Sequence, residues 1–291
     1  MAALLVVADR PATAGTEDQT AQAGTNSAAA ADNGLFNGLD HRSAYFRDFF
    51  PQPLLVEETS LEEGELEFGA RHTQASQPHT DTVSAGVQKS FGLLTLELEV
   101  PCEHEVAADQ SARGGVGNLS LDARYPLWQW VSGGGDYDTT LGVALEAGLP
   151  VDSVAGDRTE MDPMIFNDLK LGEHFSLQSV LGWSTQFGGG ANGGGQTFEY
   201  GFDFAYALPH HALPLPGVQQ FTPMVELAGE TPLNPAATGQ NHLLGGLGVR
   251  ADLKPFGDVQ PGLGLGWVFP VNQAARTEVH WGIAASLTLQ F

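Results

Sequence analysis

Apolar and polar residues alternate along most of this chain. In the clearest stretch, TFEYGFDFAYA at 197–207, every second residue from Phe198 to Tyr206 is aromatic, and the residues between them are small or acidic. Successive side chains of a β-strand point to opposite faces, so a period of two predicts a strand with one apolar face. Twelve such runs follow one another, at 64–74, 82–91, 93–101, 117–125, 140–150, 164–172, 175–187, 197–207, 221–230, 242–254, 259–270 and 278–291.

The length of these runs favours membrane-spanning strands over the strands of a soluble protein. They are 9 to 14 residues long, whereas strands of soluble proteins have about five or six residues. A tilted strand needs about 9–11 residues to cross a bilayer. In lipid an unpaired strand edge leaves backbone groups without partners, so the sheet has to close on itself. The pattern therefore predicts an all-β fold, a closed antiparallel up-and-down transmembrane β-barrel of about 12 strands.

The links between the runs alternate in length. Tight turns are expected at 89–93, 171–174 and 254–258, after even-numbered strands. Longer links rich in Gly, Asn, Asp and Gln follow the odd-numbered strands, at 74–81, 107–115, 151–160, 188–196, 233–241 and 271–277. Outer-membrane barrels have short turns on the periplasmic side and longer loops outside. The links at 126–138 and 208–219 depart from this alternation, since they are long where a short turn is expected.

The chain before the barrel divides into two parts. Residues 1–34 are expected to be a poor signal-like and disordered segment, because residues 15–34 are small and polar with no period,. Their start, MAALLVVADRPATA, resembles a poor secretion signal without a basic region,. Either the true signal begins upstream, or this is ordinary cytoplasmic sequence. Residues 35–61 are rich in aromatic residues and proline and are expected to form a periplasmic or plug segment, which leaves 62–291 for the transmembrane barrel.

The net charge narrows the classes of partner. The chain has 12 Lys+Arg against 35 Asp+Glu, a formal net charge of −23. A nucleic-acid-binding protein needs a basic surface, so that class is excluded, and so is binding to anionic lipid through a basic patch. An acidic interior favours neutral or cationic solutes. The same charge is also explained by exposed loops that keep the protein soluble.

Metal-binding and catalytic motifs are weak. The single cysteine, Cys102, would share a strand face with His104, but two ligands do not make a structural metal site,. His210 and His211 are adjacent and would face opposite sides of a strand. We therefore expect no metal and no cofactor.

An enzyme is the less favoured class as well. Ser286, His242 and His280 are expected to face inward, but the sequence lacks a local motif such as G-x-S-x-G,. We therefore expect no enzymatic activity.

The polar faces of the strands supply the candidate functional residues. If the apolar faces point to lipid, the opposite faces line the lumen. The charged residues on those faces are Glu65, Glu67, Arg71, Glu97, Glu99, Asp122, Arg124, Glu146, Glu199, Asp203, Glu226, Glu230, Arg250, Asp252 and Glu278. This set is mostly acidic and predicts a pore for cations or neutral solutes. The alternative is a narrow barrel in which Arg71, Arg124 and Arg250 bridge acids and no solute passes.

Two sequence features resemble known proteins. The last strand, EVHWGIAASLTLQF, resembles the C-terminal strand of bacterial outer-membrane barrels, whose terminal Phe, here Phe291, is recognised by the assembly machinery. GVGNLSLDARYPL at 115–127 resembles the G-x-G-D-x-x-L-x-x-K/R-Y segment of the phenol meta-pathway outer-membrane family, with Asn118 in place of the usual Asp. Shorter likenesses to that family lie at 64–68, 97–101, 149–150 and 244–250.

The resemblance implies a location and a function. It implies the outer membrane of a Gram-negative-type bacterium, contact with outer-membrane lipid and with the barrel-assembly machinery, and passive uptake of small hydrophobic or aromatic compounds. A non-conducting structural or interaction barrel of the same membrane is the alternative. A soluble β-sandwich is the alternative fold; it would bury the aromatic face of 198–206 but would leave the long strands unexplained.

Overall fold

The computed structural model describes residues 50–59, 61, 64–75, 79–106, 111–132, 136–151, 158–188, 195–233 and 240–291. These residues belong to one compact unit. The expected disordered segment 1–34 and the first part of the 35–61 segment lie outside the described residues. Among the described residues no helix is both long and apolar enough to cross a membrane.

The described chain is almost entirely β-strand. Its elements are β1 (Gly64–Gln74), β2 (His79–Phe91), β3 (Leu94–Val106), β4 (Ala112–Val116), β5 (Leu119–Val131), β6 (Tyr137–Leu149), β7 (Arg158–Leu171), β8 (Phe175–Gly188), β9 (Gln196–Tyr206), β10 (Leu208–Pro209), β11 (Val218–Pro232), β12 (His242–Leu253), β13 (Gln260–Pro270), α1 (Ala275–Glu278) and β14 (Trp281–Gln290).

The strands form one closed antiparallel sheet. Each long strand pairs with the long strands before and after it in the chain, and β14 returns to pair with β1 from Glu65↔Gln290 to Gln74↔Trp281. The short strand β4 continues the line of β5 along β3, and β10 adds two residues beside β11. In the described part of the chain, twelve long strands therefore make a closed barrel. The predicted fold is confirmed.

The outer face of the barrel is apolar and its inner face is polar, the reverse of a soluble protein. Large apolar side chains such as Ile165, Phe204 and Leu265 are about half exposed on the outside. The most buried side chains are polar or charged and lie inside, among them Arg124, Gln178, Asp168, Asp203, Glu226, Arg250, Asp252 and Thr288. A lipid-facing apolar surface around a polar interior is typical of a membrane barrel. The β-sandwich alternative is wrong, because the aromatic face of β9 points outward instead of into a core.

The strand boundaries correct the sequence prediction at two prolines. β5 continues past Pro126 to Val131, where a shift of register between Pro126 and Trp128 marks a bulge. A bulge lets a strand continue past a proline that cannot donate to the ladder. Most of the predicted 126–138 link therefore belongs to β5 and β6. The connection between these strands is short, as the alternation of tight turns and longer links requires. β7 begins at Arg158, six residues before the predicted run, and it keeps one register with β6 and with β8 on both sides of Pro163.

A close approach inside the barrel requires a glycine at position 142. A methyl group at Gly142 would overlap the ring of Phe166, which is 1% exposed. We expect Gly142→Ala to lower the free energy of unfolding by about 1–3 kcal/mol, because the ring has to move within a packed interior. Urea unfolding in lipid vesicles, followed by tryptophan fluorescence, measures this. Gly86→Ala is the matched control, since its nearest neighbour would be 3.5 Å away; equal losses in both variants would contradict the prediction.

Candidate functional site

Residues 50–59 and Leu61, called here the inner segment, lie inside the barrel. The backbone carbonyl of Pro51 accepts a hydrogen bond from Gln178 Nε2 at 2.6 Å. Thr59 Oγ1 donates to Asp168 Oδ1 at 2.5 Å and contacts Gln178 Oε1 at 2.9 Å. Both ends of the segment are therefore bound to polar side chains of β7 and β8 that point inward.

The middle of the inner segment is held by the carboxylate of Glu226. The backbone N–H groups of Leu54, Leu55 and Val56 donate to this carboxylate, at 3.1, 2.7 and 3.0 Å. Glu226 is 1% exposed, and Arg71 Nη2 donates to the carbonyl of Leu54 at 2.8 Å. Hydrogen bonds to a charged acceptor contribute about 1.5–3 kcal/mol each. Glu226 thus holds three consecutive residues of the segment through their backbone.

Glycines on the inner face give room to the apolar side chains of the segment. A Cβ atom at Gly248, Gly264 or Gly266 would lie 2.8–2.9 Å from the side chain of Leu54. A Cβ atom at Gly201 would overlap Val56. The glycine-rich sequence of β12 and β13 therefore leaves space in the wall for Leu54.

A buried arginine binds one end of the inner segment. Arg250 donates to Gln52 Oε1 at 3.0 Å, to Asp252 Oδ1 at 3.1 Å and to Thr288 Oγ1 at 2.6 Å. Its side chain is 2% exposed. The guanidinium thereby joins the segment to β12 and β14.

A second buried arginine binds the other end. Arg124 Nε lies 2.6 Å from Asp122 Oδ2, and Nη2 contacts both Glu97 and Gln88 Oε1. Its Nη1 lies 3.3 Å from the carbonyl of Glu58 and 3.7 Å from the carboxylate of that residue. The guanidinium is 1% exposed. One buried cation therefore forms ion pairs with several carboxylates.

Two cavities adjoin the inner segment. One has a volume of about 300 Å³, and Glu58, Glu67, Glu97, Glu99 and Arg71 supply most of its charge. The other has a volume of about 200 Å³. Its walls combine apolar and acidic side chains, namely Leu55, Val56, Glu57, Glu146, Met164, Val180, Glu199, Ala228, Glu230, His242, Leu244 and Glu278.

The structure places the predicted site residues in three environments. Buried inside the barrel are Asp122, Arg124, Asp203, Glu226, Arg250 and Asp252, together with Glu65. Half-buried are Glu67, Glu97, Glu99, Glu146 and Glu199, and more exposed are Arg71, Glu230 and Glu278. Arg124 brings Glu97 and Asp122 together, and Arg250 is paired with Asp252. Their contribution to solute passage stays a prediction.

Glu278 is placed differently from the prediction. The alternation predicts it on the last strand, but β14 begins at Trp281 and Glu278 is the last residue of the one-turn helix α1. Its carboxylate lies 2.9 Å from His242 Nδ1, beside the smaller cavity. Val279 and Trp281 continue the apolar alternation of the last strand, so the sequence pattern also includes Glu278, which belongs to the helical turn.

Several residues inside the barrel are not among the predicted lumen residues, and most of them are uncharged. Gln178 contacts Thr59 and the carbonyl of Pro51, and Gln52 accepts a hydrogen bond from Arg250, whereas the predicted lumen residues are all charged. Gln178 follows the alternation of its strand, so its phase could have shown it. Asp168, in the run 164–172, is absent from the predicted lumen residues, although the structure buries it fully inside the barrel.

Phe291 follows β14 directly. Its backbone N–H donates to the carbonyl of Gly64 at 2.9 Å, and Lys89 Nζ lies 5.8 Å from the centre of its ring. The residue therefore continues the seam between the first and last strands. Its recognition by the assembly machinery stays a prediction.

Comparison with known proteins finds the same fold. No family model matches the sequence, and neither does any curated protein. An outer membrane channel from Pseudomonas putida F1 superposes with a TM-score of 0.56 at 13% identity, over 82% of this chain and 99% of that chain. The NanC porin and the translocator domain of the autotransporter NalP from Neisseria meningitidis each align over 78% of this chain and over 98% and 86% of their own, with TM-scores of 0.48 and 0.42 at 7% and 10% identity.

The likeness to the Pseudomonas putida F1 channel shows the fold alone. The closed sheet with its apolar outer face is that of a transmembrane β-barrel,.

Proposed function

We propose that this chain is a passive outer-membrane channel for small hydrophobic or aromatic compounds. The observation that carries the proposal is the cavity of about 200 Å³ within the barrel, where Met164, Val180, Ala228 and Leu244 offer apolar contact. Ligand sites are commonly lined by apolar and aromatic side chains with a few polar groups. The sequence resemblance to the phenol meta-pathway family and the channel from Pseudomonas putida F1 support the same class of function.

The acidic walls favour one sign of charge among the solutes. Glu146, Glu199, Glu230 and Glu278 border this cavity, and no Lys or Arg of the described chain lines it. Rings of carboxylates attract cations and repel anions. The proposed cargo is therefore neutral or cationic, and outer-membrane lipid and the barrel-assembly machinery remain the proposed partners of the outer face and of the C-terminal strand.

One observation favours the alternative, a non-conducting structural or interaction barrel. The inner segment is bound at both ends and in its middle, by Gln178, Glu226 and Arg250. A segment fixed in this way narrows the passage. The two functions differ in one property, which is whether solutes cross a membrane that contains the protein.

Reconstitution of the full chain into liposomes tests the proposal with a matched pair of solutes. Benzylammonium and benzoate have the same ring and opposite charge. We expect swelling above that of empty liposomes, about tenfold faster with benzylammonium, because the acidic walls exclude the anion. In planar bilayers a KCl gradient should give a reversal potential of cation-selective sign.

A variant identifies the cavity as the source of the selectivity. Combined Glu146→Gln, Glu199→Gln and Glu230→Gln should bring the two swelling rates to within about threefold. Glu173→Gln is the control, since Glu173 is exposed in the turn between β7 and β8. Absence of swelling and conductance, with a barrel that is folded by its heat-dependent gel mobility, would favour the non-conducting alternative.

A further inference from the structure

Three carboxylates meet where the inner segment passes β1. Oxygen atoms of Glu58, Glu65 and Glu67 lie within 4.8 Å of one another, in a site that is at least half-buried. Glu58 belongs to the inner segment, whereas Glu65 and Glu67 are on the inner face of β1. The cluster therefore joins the segment to the wall of the barrel.

A fourth oxygen donor points to a ligand at this place. Gln290 lies directly opposite Glu65 in the β1–β14 ladder, so both side chains stand on the same inner face,. Gln290 is 6% exposed, and its Oε1 atom has no hydrogen-bond partner in the described structure. A buried amide oxygen without a donor is costly, by roughly 1–3 kcal/mol. A bound cation beside Glu65 would satisfy it.

The chemistry of this donor set selects the ion. Carboxylate and amide oxygens are the ligands that Ca²⁺ and Mg²⁺ prefer, while thiolate and imidazole are absent from the cluster,. Calcium binds oxygen at about 2.3–2.6 Å, so ligands on opposite sides of the ion are roughly 4.6–5.2 Å apart. Magnesium binds at about 2.0–2.1 Å, demands near-ideal octahedral geometry and usually keeps several waters. Separations of up to 4.8 Å among side-chain oxygens are within the span of a calcium site,.

The surrounding charges are consistent with a cation. Arg124 lies 3.7 Å from the Glu58 carboxylate, but its closer ion pairs are with Glu97 and Asp122. Glu97 and Glu99 line the same cavity as Glu58 and Glu67. A divalent ion would lower the repulsion among these acids.

We propose that Glu58, Glu65 and Glu67, with the amide oxygen of Gln290, bind one calcium ion that ties the inner segment to β1. The bound ion closes the passage further by fixing the segment in its inner position. This effect on solute passage rests on the proposed channel function, whereas the binding of calcium does not.

Isothermal titration of the full chain in detergent with calcium chloride tests the binding. We expect one saturable site with micromolar to millimolar affinity and weaker binding of magnesium. Glu65→Gln and Glu67→Gln should each weaken calcium binding at least about tenfold, because affinity follows the number of charged ligands. Gln290→Met, which removes only a neutral oxygen, should weaken it about threefold to tenfold.

Glu160→Gln is the matched control, because Glu160 is a half-buried carboxylate of β7 that lies outside the cluster and accepts a hydrogen bond from Ser184. Its calcium affinity should equal that of the unchanged protein, and heat-dependent gel mobility checks that each variant is folded. No saturable binding up to about 10 mM, or equal affinity in Glu65→Gln and the unchanged protein, would overturn the proposal.

Conductance separates this proposal from the channel function. Calcium at about 1 mM should lower the conductance of the unchanged protein relative to EDTA and leave Glu65→Gln unaffected. Calcium binding in a barrel that never conducts would refute the channel and retain the site. Conductance without calcium binding would retain the channel and refute the site.

Discussion

Arg124→Met will destabilise the barrel by about 3–5 kcal/mol, the cost typical of removing one partner from a buried ion pair. The guanidinium is 1% exposed and contacts Asp122, Glu97 and Glu58. Methionine has a similar length and no charge, so the three acids would remain close together without their shared cation. Each has to bind a proton or move apart, and the inner segment loses the contact at Glu58.

Urea unfolding in lipid vesicles measures the effect, with gel mobility of unheated samples as a second readout. Arg113→Met is the control, because Arg113 is 75% exposed and lies 3.7 Å from Glu105. An exposed pair contributes about 0–1 kcal/mol. Equal losses in the two variants would show that the Arg124 pairs contribute no more than a surface salt bridge.

The strands could be predicted because their signal is local. The predicted run 64–74 coincides with β1, and the run at 259–270 differs from β13 by one residue. Membrane strands repeat this signal over many residues, since one face contacts lipid along its whole length. The prediction lost accuracy at Pro126, where a shift of register moves the pattern by a residue, and at the start of β7, which begins at Arg158 instead of residue 164.

For the interior, the sequence predicts which side chains point inward, but not which residues they contact. The alternation assigned Glu226 and Arg250 to the inside, but it carries no information on what each side chain binds there. The partners are far apart in the chain: Leu55 and Glu226 are separated by 171 residues, and Gln52 and Arg250 by 198. The inner segment itself has no period, so its place inside the barrel depends on contacts that exist only after closure.

Glu226→Gln will release the middle of the inner segment. The carboxylate accepts hydrogen bonds from the N–H groups of Leu54, Leu55 and Val56. Glutamine loses the charge, and its amide NH₂ would face donors where an oxygen accepted. A loss of about 2–4 kcal/mol is expected from hydrogen bonds of about 1.5–3 kcal/mol each. The displaced state should therefore become roughly 30- to 1,000-fold more populated, at tenfold per 1.4 kcal/mol.

A cysteine in the inner segment reports this displacement without relying on conduction. In a Cys102→Ser background, Leu55→Cys should react with a membrane-impermeant maleimide at least tenfold faster when Glu226→Gln is added. Glu230→Gln is the control, because it removes the same charge from β11 and Glu230 is exposed. Conductance should rise in parallel if the segment limits passage. Unchanged labelling in Glu226→Gln would mean that Arg250, Gln178 and the glycine contacts of Leu54 hold the segment without the carboxylate.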